Sequence, residues 1–375
     1  MKTAQALELG DRRLLICLGP GGVGKTTLSA ALALNAAIGG RTVDVMTVDP
    51  APRLLDALGL TAGDSTMQTV SLTGLGAPRG ARLRALKLDP KATFDLLIER
   101  HAPSASAREA ILANRIYRNL SGALAGVADY MAIEKLLELS SDTSTGLIVL
   151  DTPPAREALD FLDAPRRMLE LLGSRAVTLL SAGRSVLRGG FSMIDLAARA
   201  VLTAFDRLTG LHLLGDVQAF VASFDGMYAG FADRAAQAQA LIRDPRTLVV
   251  LVTTAEAERV DQAVEFIEAL SKLGLMLGAV AVNRMMAPLP DEAAIADADL
   301  PAALKRKLKR NLDDFAALRQ RESSALDRLR ASIPAGTRLI AAPDLGHEPR
   351  RLADLAALAR SLRVVDSDEG EKECC

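Results

Sequence analysis

The chain has 375 residues, 49% of them hydrophobic and only 3% aromatic, and 45 Lys+Arg against 46 Asp+Glu leave a formal net charge of -1. That length holds two domains, or one large α/β domain with insertions, and buries a sizeable core without covalent staples. Balanced charge removes the polyelectrolyte signature of non-specific nucleic-acid binding, scarce aromatics remove stacking platforms for single-stranded bases, and an apolar share built from Ala, Leu and Val argues against disorder.

In chain order, Glu8, Asp11, Arg12 and Arg13 precede any apolar run, so no signal peptide is expected. Leu14 to Leu18 reads as a strand, Gly19 to Gly24 as a turn, and Lys25 to about Ile38 as a helix. Val43 to Val48 is the next strand and Arg82 to Leu88 a further candidate, before a helical stretch over about 90–140. Leu147 to Leu150 is a continuous apolar run of the fully buried kind. Residues about 155–245 are helical again, and Leu248 to Val252, Gly278 to Val282 and Arg338 to Ala341 complete the strands. Between the last two, 301–332 is a helical block, basic at Lys305, Arg306, Lys307, Lys309 and Arg310; a solvated helix face explains it, since Asp313 and Asp314 follow.

Strands separated by helices predict an α/β fold, a doubly wound, mostly parallel sheet, with a helical subdomain from the two long insertions. No uncharged apolar stretch reaches the ~18–20 residues of a spanning helix, so no transmembrane segment and a cytoplasmic location are expected. Of three cysteines, Cys17 sits in the first strand and Cys374 and Cys375 end the chain, which makes neither a disulfide framework nor a zinc site. His101, His212 and His347 lack ligand spacing.

Gly19-Pro20-Gly21-Gly22-Val23-Gly24-Lys25-Thr26, followed by Thr27, fits G-x-x-x-x-G-K-[ST] between a strand and a helix. Glycines let the backbone curl so that N–H groups from Gly21 to Thr27 face phosphate oxygens, and the helix adds its positive end. Lys25 then bridges the outer phosphates and the Thr26 hydroxyl takes Mg²⁺. The buried run ending in Asp151 delivers a carboxylate to the carboxyl edge of the sheet, where it holds a metal-bound water. Asp49 supports metal-bound waters or caps the turn after its strand, and both readings stand.

Together these residues resemble the arsenite-transporter-type (ArsA-like) ATPases, which include the ATPase that targets tail-anchored membrane proteins. The phosphate loop resembles that group's G-K-G-G-V-G-K-T-T. Val48-Asp49-Pro50-Ala51-Pro52-Arg53-Leu54-Leu55-Asp56-Ala57-Leu58 resembles its switch I, and Asp151-Thr152-Pro153-Pro154-Ala155-Arg156 its switch II. Val282-Asn283-Arg284 and Ala342-Pro343-Asp344-Leu345 resemble the base-contacting segments, so Asn283 and Pro343 are expected at adenine. The resemblance implies ATP and Mg²⁺ as ligands, a single P-loop ATPase domain over 1–363 with an acidic, disordered tail at 364–375, and a homodimer or a heterodimer with a paralogue. It also implies that Asp56 activates the attacking water; from spacing alone, Asp56 reads as a surface Asp in a short helix.

Three departures qualify it. Pro20 replaces the signature lysine that reaches the partner's phosphates, which predicts slow turnover unless Arg53, Arg156 or a paralogue supplies the cation. The block 301–332 lacks the C-x-x-C clasp, and no Cys cluster exists for arsenite. Met168 to Gly230, with Leu169, Leu171, Leu172, Leu179, Leu180, Val186, Leu187, Phe191, Met193 and Ile194, reads either as a buried helical face or as a nucleotide-gated groove for an apolar helical client. A nucleotide-dependent scaffold of the partition or division-site type, with little hydrolysis, is the alternative function.

Overall fold

A chain of short, Val- and Leu-rich runs each followed by a helix leaves one economical solution, parallel strands buried on both faces. The computed structural model describes residues 10–61, 66–115, 117–118, 125–153, 156–172 and 227–365. It contains a nine-stranded sheet in the order β3-β4-β2-β5-β1-β6-β7-β8-β9. The strands are β1 (Leu14–Leu18), β2 (Thr42–Thr47), β3 (Gln68–Thr69), β4 (Arg82–Lys87), β5 (Leu147–Asp151), β6 (Thr247–Thr254), β7 (Leu277–Met285), β8 (Arg338–Pro343) and β9 (Arg363–Val365). All neighbours pair in parallel except β3 with β4 and β8 with β9 at the two edges.

The α/β fold with a mostly parallel sheet is therefore as the sequence predicts. Two short antiparallel edge strands, β3 and β9, escape prediction because two or three residues carry no periodicity. β9 takes in Val364 and Val365, which the sequence assigns to the acidic tail; both pair with β8, at Ile340 and Leu339. Residues 366–375 lie outside the described residues.

Chain order reverses at β1. Its first connection, through α1 (Lys25–Ile38), leads towards β2 on one side, whereas β6, β7 and β8 continue on the other. A crevice opens at the carboxyl end of such a switch point. The core behind it is aliphatic: alternate strand residues Leu15 and Cys17, Val43 and Val45, Val250 and Val252 meet Leu28 and Leu32 of α1 and Leu355 and Leu358 of α11 (Leu352–Ser361). Further helices of this part are α2 (Arg53–Ala57), α8 (Ala257–Lys272), α9 (Glu292–Asp297) and α10 (Ala302–Ser332).

The chain divides into two compact units, one of 1–87, 142–159 and 245–375, the other of 88–141 and 160–244. The second is helical where described, with α3 (Pro90–His101), α4 (Ala105–Ala113), α5 (Ala125–Ser141), most of α6 (Arg156–Leu172) and α7 (Tyr228–Ile242). Its core gathers aromatic rings that the sheet core lacks. Phe94 and Tyr117 pack edge to face at 5.1 Å, and Arg234 lies 5.0 Å over Phe231 while pairing with buried Glu134. Residues 173–226, and with them most of the client-groove residues, lie outside the described residues; so do Pro154 and Ala155.

Candidate functional site

Between β1 and α1 the backbone takes left-handed φ values at Gly19 (148°), Gly22 (79°) and Gly24 (87°). Side chains are excluded there by space as well: a Cβ on Gly19 would fall 2.1 Å from the Val252 carbonyl oxygen, and one on Gly24 2.3 Å from Asn283 Nδ2. Among the described residues no side chain caps the N-terminus of α1, which leaves its first N–H groups available to an anion. Lys25 is buried and donates to the Pro20 carbonyl at 3.3 Å, across the curl of the loop. Burial pulls its amine below the ordinary lysine range, while Asp151 and Asp49 pull it back up.

Asp151 is the hub. Parallel register sets it beside Cys17 of β1 and Thr47 of β2, at the carboxyl edge of the sheet. Its carboxylate is fully buried and accepts from Thr26 Oγ1 at 2.8 Å, Thr47 Oγ1 at 2.9 Å and Ser29 Oγ at 3.3 Å. Burial raises its pKa, against the hydroxyl donors and Lys25. Hard hydroxyl and carboxylate oxygens are the donors that Mg²⁺ takes, so this set fits that ion.

The switch I segment forms the neighbouring wall. Asp49 Oδ1 accepts from Ala51 N at 2.9 Å, so Asp49 does the turn-capping weighed from sequence, and its Oδ2 lies 3.7 Å from Arg53. Leu54, Leu55 and Leu58 are buried, which pins α2 and leaves Asp56 exposed on it. Lys87 on β4 donates to the Pro50 carbonyl at 3.0 Å and ties the segment to the sheet.

These groups line one cavity of about 990 Å³, together with Gly21, Gly22, Gly24, Lys25, Thr26, Thr27, Thr152, Asn283 and Pro343. Among the residues predicted for the site, Val23 and Asp151 are buried behind that wall. Asn283 Nδ2 donates to the Val23 carbonyl at 2.9 Å, so the side chain expected at a base also clamps the phosphate loop. Arg53 lines the cavity, whereas the Arg156 side chain is outside what is described.

Sequence reasoning missed Thr47, Ser29 and the far wall of Arg284, Asp344, His347, Glu348 and Arg350. Ser29 stands one turn beyond Thr26 on α1, a spacing that could have found it. Thr47 has no local signal, because only the β2–β5 register brings it to Asp151. Arg284 follows a register shift in β7 and is a non-glycine residue at positive φ, 59°. Among the described residues, no group of three or more His, Cys, Asp or Glu forms a metal cluster, and no helix is long and apolar enough to cross a membrane.

The anion-transporting ATPase family (ArsA) matches residues 12–315. The ATPase GET3 of Malassezia globosa is 26% identical over 288 residues, 76% of each chain. The ATPase get3 of Neurospora crassa is 24% identical over 312 residues, 83% of each chain. An uncharacterised protein of Streptomyces coelicolor is 28% identical over 350 residues, 92% of this chain and 75% of its own.

Proposed function

Because the chain belongs to the anion-transporting ATPase family and is a nucleotide-dependent ATPase, we propose that it binds and hydrolyses ATP in the cavity at the β1 switch point and works as a dimeric nucleotide switch. The observation that carries this is the convergence of the glycine loop, Lys25, the Thr26–Asp151 pair and Asp56 around one 990 Å³ cavity.

In this reading N–H groups from Gly21 to Thr27 cradle the phosphates, and Lys25 leaves the Pro20 carbonyl for the outer phosphate oxygens. Thr26, Asp49 and Asp151 hold Mg²⁺, which neutralises charge on the phosphates when bound. Thr47 and Ser29 fix the Asp151 carboxylate so that Thr26 keeps its orientation. Asp56 orients the attacking water and accepts its proton. Asn283 and Pro343 face the adenine. Pro20 offers no N–H and no charge, so turnover is slow unless Arg53 or a partner chain supplies a cation. Nucleotide state is coupled to the helical unit, whose Leu- and Met-rich residues 168–230 take an apolar helical client such as a membrane-protein segment.

The test is ATP turnover of the native chain beside Asp56→Asn. Asp56→Asn is expected to lower turnover by about 10²–10⁴-fold while ATP affinity stays within a few-fold. Pro20 favours a second reading, a nucleotide-dependent scaffold with little hydrolysis; tight ATP binding with no turnover in either chain would select it.

A further inference from the structure

Helix α10 is 31 residues long, roughly 46 Å, yet its buried residues are only Ala325, Leu326 and Leu329, in the last third. That third packs on α8, with Arg328 paired to Asp261. The same helical face continues towards the N-terminus as Leu304, Leu308, Phe315 and Leu318, spaced by four, seven and three residues. There it is uncovered: Leu304 is 41% exposed, Phe315 49% and Leu318 48%. Short α9 ties only the flank, through Lys305 to the Ala296 carbonyl and Lys309 to Glu292.

The pattern is close to palindromic about Asn311 and Leu312. Turned end for end, Leu304 falls opposite Leu318, Leu308 opposite Phe315, and Asn311 opposite its own copy. Charge follows the same symmetry. Lys307 and Asp314 sit two turns apart on one flank of the apolar face, so an inverted copy brings Lys307 of each helix to Asp314 of the other. A parallel pair instead stacks the cations Lys305, Lys307 and Arg310 against themselves. We propose that this face is covered by α10 of a second copy of the chain, antiparallel, crossing at Asn311. This contact is independent of the cavity and needs no nucleotide.

The test uses the full chain with Cys374→Ser and Cys375→Ser, so that introduced thiols report alone. Asn311→Cys is expected to give a disulfide-linked dimer under mild oxidation, and Arg306→Cys, on the opposite side of the helix, none. Mixing Leu304→Cys chains with Leu318→Cys chains should cross-link, whereas Leu304→Cys alone should not, because inverted copies hold those positions ~21 Å apart. By sedimentation, Lys307→Glu should weaken self-association about tenfold, and adding Asp314→Lys should restore it. Yields should be unchanged without ATP and in Lys25→Ala, which separates this contact from the nucleotide reading. Equal cross-linking at Asn311 and Arg306, or a monomer at every concentration, overturns the proposal. So does binding to phosphatidylserine vesicles without any cross-link, which would give the face to a membrane.

Discussion

A single carboxylate carries most of the candidate site's strain. Asp151 is fully buried, and three hydroxyls from two elements offset the loss of water around it. Thr47 is the one of these outside the phosphate-loop helix. Thr47→Val keeps the shape and removes the donor, so it should cost about 1–3 kcal/mol in urea unfolding and weaken Mg²⁺-dependent nucleotide binding several-fold. Thr47→Ser should restore both; if it restores stability alone, the hydroxyl serves packing and not the site. Cys17, beside this hub, has its thiol pushed up to about 12 by burial. It should resist thiol reagents at neutral pH in the folded chain and react only on unfolding, as peptide mapping after alkylation would read.

At the scale of elements, a polar knot joins β2 and β4 to the start of β5. Arg84 holds the buried Asp44 with two bonds of 2.7 and 2.6 Å and reaches Asp142 at 3.0 Å, while Thr145 donates to Asp44 at 2.7 Å. The Ser144 donors first, and Arg84 after them, hold the Asp142 carboxyl well below the usual range. A depressed folded pKa means that the unfolded chain takes up the proton more readily. The contribution is therefore present above the unfolded pKa of about 4 and is lost as pH falls through and below it. Asp142→Asn should flatten the acid-side fall in urea midpoint between neutral pH and about pH 3. An unchanged slope would show that other carboxylates carry the acid sensitivity.

For the whole molecule, every described lining residue of the cavity belongs to the sheet-containing unit. Ligand binding then stabilises that unit by mass action, about 2.7 kcal/mol when ATP is at one hundred times its dissociation constant. Hydrogen exchange should slow in β1, α1 and β5 on adding ATP and Mg²⁺, and Lys25→Ala should abolish the effect. Protection that appears only in α3 to α5 would place the nucleotide elsewhere.

What the sequence determined by itself is local and periodic. Leu14–Leu18, the glycine loop and Lys25–Ile38 read off as strand, turn and helix because buried runs, left-handed glycines and helix formers each leave a signature within a few residues. Asp151 was legible for the same reason, as the acid that ends an apolar run. The tertiary structure alone decided what those residues meet. Parallel pairing over a hundred residues of chain brings Thr47 to Asp151, and a register shift in β7 turns Arg284 into the cavity wall. Only packing shows that Asn283 holds the phosphate loop, or that the first two-thirds of α10 stand uncovered. Hydrophobic period reports which face is buried, but long-range register and the partner of each face are set by closure of the sheet, which no local window of sequence contains.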